Sequence, residues 1–103
     1  MNYNQVSEVL TMATKTYKIN DTVSIPDRIV FPGRRDPYEW ENGIIIALGK
    51  NKKDDTIYKV KIWNHFTKKE SERWFTAGMM KPVNFYHYAG EKEDFQKWLE
   101  VSI

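Results

Sequence analysis

Between Ile57 and Trp63 the chain alternates without a break: Tyr58, Val60 and Ile62 on one side, Ile57, Lys59, Lys61 and Trp63 on the other. A period of two belongs to an extended strand with one face on a core and the other in water. Such a strand needs partners, and the rest of the sequence supplies them. Thr22–Ile25 alternates and stops at Pro26. Gly43–Leu48 is a β-branched run suited to a central strand, Glu72–Thr76 reads as a fourth strand, and Met79–Val83 as a short last strand or 3₁₀ turn. Pro26, Pro32, Gly33 and Pro37 mark residues 26–42 as a long loop, residues 49–55 as a hairpin connector and Ala77-Gly78 as a turn. The expected fold class is mainly β, a small barrel or sandwich of about five strands.

The same alternation poses a question of function. Trp63 falls on the lysine-bearing side, where a large apolar ring is unusual. Either it belongs to a binding site, or a C-terminal helix or the long loop covers it. A helix is available, because Phe95, Trp98 and Leu99 fall on one helical face, with Glu91, Glu93 and Asp94 in the first turn. Val6, Val9, Leu10 and Ala13 are spaced as a second, short helix; a disordered N-terminal tail is the other reading.

Composition narrows the class. At 103 residues the chain has room for one modest core, and that core cannot hide all of four Trp, six Tyr and five Phe. There is no Cys, which excludes disulfides, thiolate metal sites and Cys nucleophiles. The longest apolar run, Ile44–Leu48, is far short of the ~20 residues that cross a bilayer. The N-terminus does not read as a signal peptide. A soluble intracellular domain, cytoplasmic or nuclear and without membrane association, is expected. His65 and His87 lie on different elements and no helical i, i+4 histidine pair exists. The serines sit in no nucleophile context, and the acids are scattered. No enzyme, cofactor or metal site is expected.

Phe66 follows Trp63 by three residues, so a strand end and the next turn would present two aromatic walls. Tyr38 and Trp40 on the long loop would add others, and Asp36, Glu39 or Glu41 would supply negative charge. Aromatic walls with an acid attract ammonium groups, at ~0.5–2 kcal/mol per cation–π contact.

These residues carry a resemblance. In the order Val23-Ser24-Ile25, Trp40-Glu41-Asn42-Gly43-Ile44-Ile45, Tyr58 to Trp63, Glu72-Arg73-Trp74-Phe75 and Lys81-Pro82-Val83, residues 19–83 resemble a Tudor- or Agenet-type domain of the SH3-like barrel group. The resemblance implies an SH3-like barrel flanked by a lead at 1–18 and a helical extension at 84–103. It implies cage roles for Trp63 and Phe66, with Trp40 beside them. The position after Trp40, often aromatic in that family, is Glu41 here. The implied ligand is a protein or peptide carrying a basic or methylated side chain, bound by Tyr38, Trp40, Glu41, Trp63 and Phe66.

Two other readings stay open. Residues 43–83 hold nine Lys/Arg against four Asp/Glu, so Arg34, Arg35, Lys59, Lys61, Lys68, Lys69 and Arg73 could follow a nucleic-acid backbone. The aromatics of residues 85–99 could instead form the interface of a small partner or inhibitor protein.

Overall fold

In the computed structural model, which describes residues 16–102, the alternating segment lies within a strand, β3 (Thr56–Asn64). Tyr58, Val60 and Ile62 are buried, and the intervening residues are not. Around it run β1 (Thr22–Ile29), β2 (Tyr38–Lys50), β4 (Lys69–Thr76) and β5 (Lys81–Pro82), followed by helix α1 (Glu91–Ser102). The strands form one antiparallel sheet in the order β4-β3-β2-β1-β5. The fold is mainly β, as expected. The sheet is not closed, because β4 and β5 are its two edges. The suggested N-terminal helix lies outside the described residues.

The core is built on one face. Val23 and Ile25 of β1, Ile45 of β2, the three buried residues of β3, Phe75 of β4 and Met80 form a single cluster. Neighbouring β2 and β3 approach so closely at Gly43 that a Cβ there would lie 2.5 Å from the Lys61 carbonyl oxygen. Met80 is buried while Met79 beside it is exposed, and Trp74 lies on the outside, next to Lys59.

Two strands are longer than the sequence suggests. β1 continues through Pro26 to Ile29, and β2 begins at Tyr38, so the long loop shrinks to residues 30–37. Pro26 is accommodated because it sits beside a register shift between Pro26 and Arg28, where the ladder is already interrupted. The consequence is positional: Tyr38 and Trp40 are carried by a strand, not by a loop.

The opposite face of β2 and β3 is covered by α1. Ile44, Phe95 and Trp98 form a second buried cluster, with Ile46, Trp63, Phe85 and Leu99 packed against it. Trp63 does lie on the side away from the core, but it is not in water. Its ring stacks on Trp98 at 5.8 Å and its Nε1–H donates to Asp94 Oδ2 at 3.2 Å. The residues Phe85, Phe95 and Trp98, considered above as a partner interface, are spent on this contact. No helix among the described residues is long and apolar enough to cross a membrane.

Candidate functional site: an aromatic cleft beside a buried acid–imidazole chain

Five aromatic rings border a half-open cleft of about 390 Å³: Phe31, Tyr38, Trp40, Phe66 and Tyr86. Tyr38 and Trp40 alternate at the start of β2 and meet edge to face, with centroids 6.2 Å apart. Asp36, just before the strand, accepts the indole Nε1–H of Trp40 on Oδ1 at 3.0 Å and on Oδ2 at 2.9 Å. That bond, then the Tyr38 backbone N–H and the Lys81 charge, holds the Asp36 carboxyl below its usual range against a smaller opposing effect of desolvation. Lys81 of β5 completes the corner. Its Nζ lies 4.0 Å from the centroid of the Trp40 ring and 3.9 Å from Asp36 Oδ2.

Phe66 reaches the cleft from the β3–β4 turn. Asn64 Oδ1 accepts the backbone N–H of both Phe66 and Thr67, and Lys68 takes the left-handed conformation, which together fix the turn. Phe66 is left 60% exposed and Tyr86 87% exposed. Exposed rings around a concavity are unfavourable in an isolated domain, and they are what a ligand would cover.

Of the five residues expected to bind a ligand, the fold brings Tyr38, Trp40 and Phe66 together. Trp63 is under α1, and Glu41 is buried to 1% exposure and does not line the cleft. Phe31 and Tyr86 were not anticipated. Neither shows a strand or helix period; only the long-range pairing of β1 with β5 and the return of the chain towards α1 bring them to the cleft.

Next to the cleft lies a chain of titratable groups. Glu41 Oε1 accepts the backbone N–H of His65 at 3.2 Å and contacts His65 Nδ1 at 2.6 Å. Burial pushes the Glu41 carboxyl up to about 8; the His65 N–H opposes this, and hydrogen bonding with Glu39 and that residue's charge reinforce it. Burial thus favours the protonated form of Glu41. Among the described residues, Glu41 Oε2 and Glu39 Oε1 are buried without a hydrogen-bond partner, and one proton shared between the two carboxyl groups would satisfy both. Glu39 Oε2 pairs with Arg28 at 3.1 Å.

Beyond Glu41, the His65 ring packs against the His87 ring, tilted by 34° with centroids 4.1 Å apart. Burial, followed by the charge of His87, lowers the His65 pKa, so this imidazole is neutral at pH 7. His87 Nδ1 lies 2.7 Å from Glu91 Oε2, and Glu91 Oε1 accepts the His87 backbone N–H at 3.0 Å. His65 thus stands in the β3–β4 turn as a buried, bonded residue. His87 also lines the cleft.

The basic residues considered for a nucleic-acid backbone are mostly neutralised locally. Lys59 pairs with Glu72, Lys61 with Glu70, Lys68 with Asp94 and Arg73 with Asp27. Arg34 rests on the Phe31 ring, with its guanidinium 4.7 Å from the centroid. Alternating acids on β4 thus cancel the lysines of β3 across the sheet.

No protein-family model, curated protein sequence or solved structure matches the chain, so what the cleft binds is argued from its geometry.

Proposed function

We propose that this chain is a non-catalytic binding module that takes a protein or peptide segment into the aromatic cleft, with a basic or methylated side chain directed at the Trp40 corner. One observation carries the reading. Trp40 and Asp36 already hold an ammonium group, that of Lys81, at 4.0 Å from the ring and 3.9 Å from the carboxylate. An aromatic face and an acid that accept the chain's own cation have the chemistry to accept a ligand's. Phe66, Tyr38 and Tyr86 offer exposed ring area for the rest of the segment, and the volume suits one or two side chains.

The Tudor-type reading belongs to this proposal. The strand order and the position of Lys81-Pro82 in the last strand support it. The cage implied by that resemblance does not carry over unchanged: Phe66 keeps its place, while Tyr38, Trp40 and Tyr86 stand where Trp63 was expected.

The test is a titration of the chain with lysine-containing peptides, unmethylated and trimethylated, followed by tryptophan fluorescence and calorimetry. Trp40→Ala should weaken binding about 10-fold, the equivalent of ~1.4 kcal/mol for one strong aromatic contact. Trp74→Ala, an exposed ring outside the cleft, should leave it unchanged. Equal affinity in wild type and Trp40→Ala overturns the proposal.

A further inference from the structure

The chain contains two histidines, 22 positions apart in sequence, and the fold packs their rings against each other at 4.1 Å between centroids. We propose that His65, His87 and Glu91 form a binding site for a divalent transition-metal ion of the zinc class.

Three observations carry this. First, one donor atom from each of the three residues lies within 4.8 Å of the other two. Rotation of the side chains would bring such a set to the ~2.0–2.2 Å metal–ligand distances of imidazole and carboxylate. Second, the His65 imidazole is held through Nδ1 by the buried Glu41 carboxyl group at 2.6 Å, whereas Glu91 Oε2, now 2.7 Å from His87 Nδ1, would turn from that nitrogen to the ion. A histidine that donates Nδ1–H to such a group carries its lone pair on Nε2, which is how carboxylate–histidine–metal sites fix ring and tautomer. Third, His65 Nε2 is buried and has no hydrogen-bond partner among the described residues. A buried acceptor without a donor is rare in folded proteins and calls for an explanation. A metal ion supplies one.

The donor set selects the ion. Two imidazoles and one carboxylate, with no thiolate anywhere in the sequence, suit Zn²⁺, Co²⁺ or Ni²⁺, whereas Mg²⁺ and Ca²⁺ call for oxygen. Three protein ligands leave a further coordination position for water or a ligand group. His87 lines the aromatic cleft, so the ion would sit at its wall. The neighbouring acids Asp27, Glu39 and Glu41 also approach one another, but Arg73 and Arg28 already neutralise them. The inference does not rest on peptide binding.

The test uses the full chain without an affinity tag, stripped with a chelator and titrated with zinc chloride, cobalt chloride or magnesium chloride. Calorimetry and thermal unfolding should show one equivalent of Zn²⁺ bound and a raised Tm, with no effect of Mg²⁺. Bound Co²⁺ should give a visible absorption band. His87→Gln, at the partly exposed end of the site, should keep the fold and lose at least 10-fold in Zn²⁺ affinity, because it takes away one of three ligands. Glu91→Gln should do the same. No heat and no cobalt band in wild type, or Zn²⁺ affinity undiminished in a folded His87→Gln, overturns the proposal. Peptide titrations run in chelator separate this outcome from the peptide-binding reading.

Discussion

Trp63 of β3 and Trp98 of α1 stack with their planes 19° apart, and this contact joins the helix to the outer face of the sheet. With Phe95 and Ile44 it makes up a core separate from the one on the inner face. Replacing Trp98 by Ala deletes the larger part of that packing and exposes Trp63. Truncating a buried Trp costs ~3–5 kcal/mol, so Trp98→Ala should lose about 3 kcal/mol or more in urea unfolding. It should also shift the fluorescence of Trp63 towards that of a water-exposed indole. An unchanged spectrum would mean that α1 does not cover this face in solution.

Asp94 holds the same interface by polar contacts. Its Oδ2 accepts from Lys68 Nζ at 2.8 Å, Tyr88 Oη at 2.8 Å and Trp63 Nε1 at 3.2 Å. The Lys68 bond chiefly, then those from Tyr88 and Trp63, depress its carboxyl to about 2 from 3.8. A group with a depressed folded-state pKa stabilises the fold above its unfolded pKa, and the effect is lost as pH falls towards the folded value. Wild type should therefore lose stability between about pH 4 and pH 2 through this group. Asp94→Asn should be less stable than wild type at pH 7, with the gap narrowing at pH 2.5. A gap of constant size across that range would show that the charge of Asp94 is not what matters. Because the Asp94 side chain is only partly buried, solvent screening keeps the effect modest.

Gly43 marks where β2 and β3 approach most closely. A methyl group there would meet the Lys61 carbonyl oxygen at 2.5 Å and Val60 Cγ1 at 2.7 Å, and a backbone oxygen within a paired strand cannot step aside. Overpacking of this kind costs ~1–3 kcal/mol. Gly43→Ala should lower Tm clearly, whereas Gly78→Ala, where a Cβ meets nothing within 4 Å, should not. Equal melting temperatures would mean that the two strands separate at this point.

What could be read from the sequence was local. The parity of Tyr58, Val60 and Ile62 against Lys59 and Lys61 placed the core face of β3 correctly, because side-chain direction in a strand depends only on position. The spacing of Phe95 and Trp98 likewise found α1. What covers Trp63, by contrast, is decided 31 to 35 residues away, by Asp94 and Trp98, and no period in β3 encodes it. Pro26 and Pro37 read as loop punctuation, yet a bulge absorbed the first and the loop closed to eight residues, 30–37. The meeting of His65 and His87 had one local trace, the i, i+4 spacing of His87 and Glu91, which a search for paired histidines passes over.

The Lys81–Trp40 contact makes a prediction that only an intramolecular cation can make. If the Trp40 face is the cation site, Lys81 competes with the ligand for it, and its removal frees the ring. Lys81→Met keeps a side chain of similar length and takes away the charge. It also leaves Asp36 without the ammonium at 3.9 Å, so the corner becomes more negative. Affinity for a trimethyllysine peptide should rise several-fold, consistent with ~0.5–2 kcal/mol for the displaced cation–π contact. Affinity for an otherwise identical peptide with norleucine at that position should change little. The double variant Lys81→Met/Trp40→Ala should return to the weak binding of Trp40→Ala alone, because the gain requires the ring. A loss of affinity in Lys81→Met would instead assign Lys81 to the ligand's acidic or carbonyl groups, and the cation would have to bind elsewhere along the cleft.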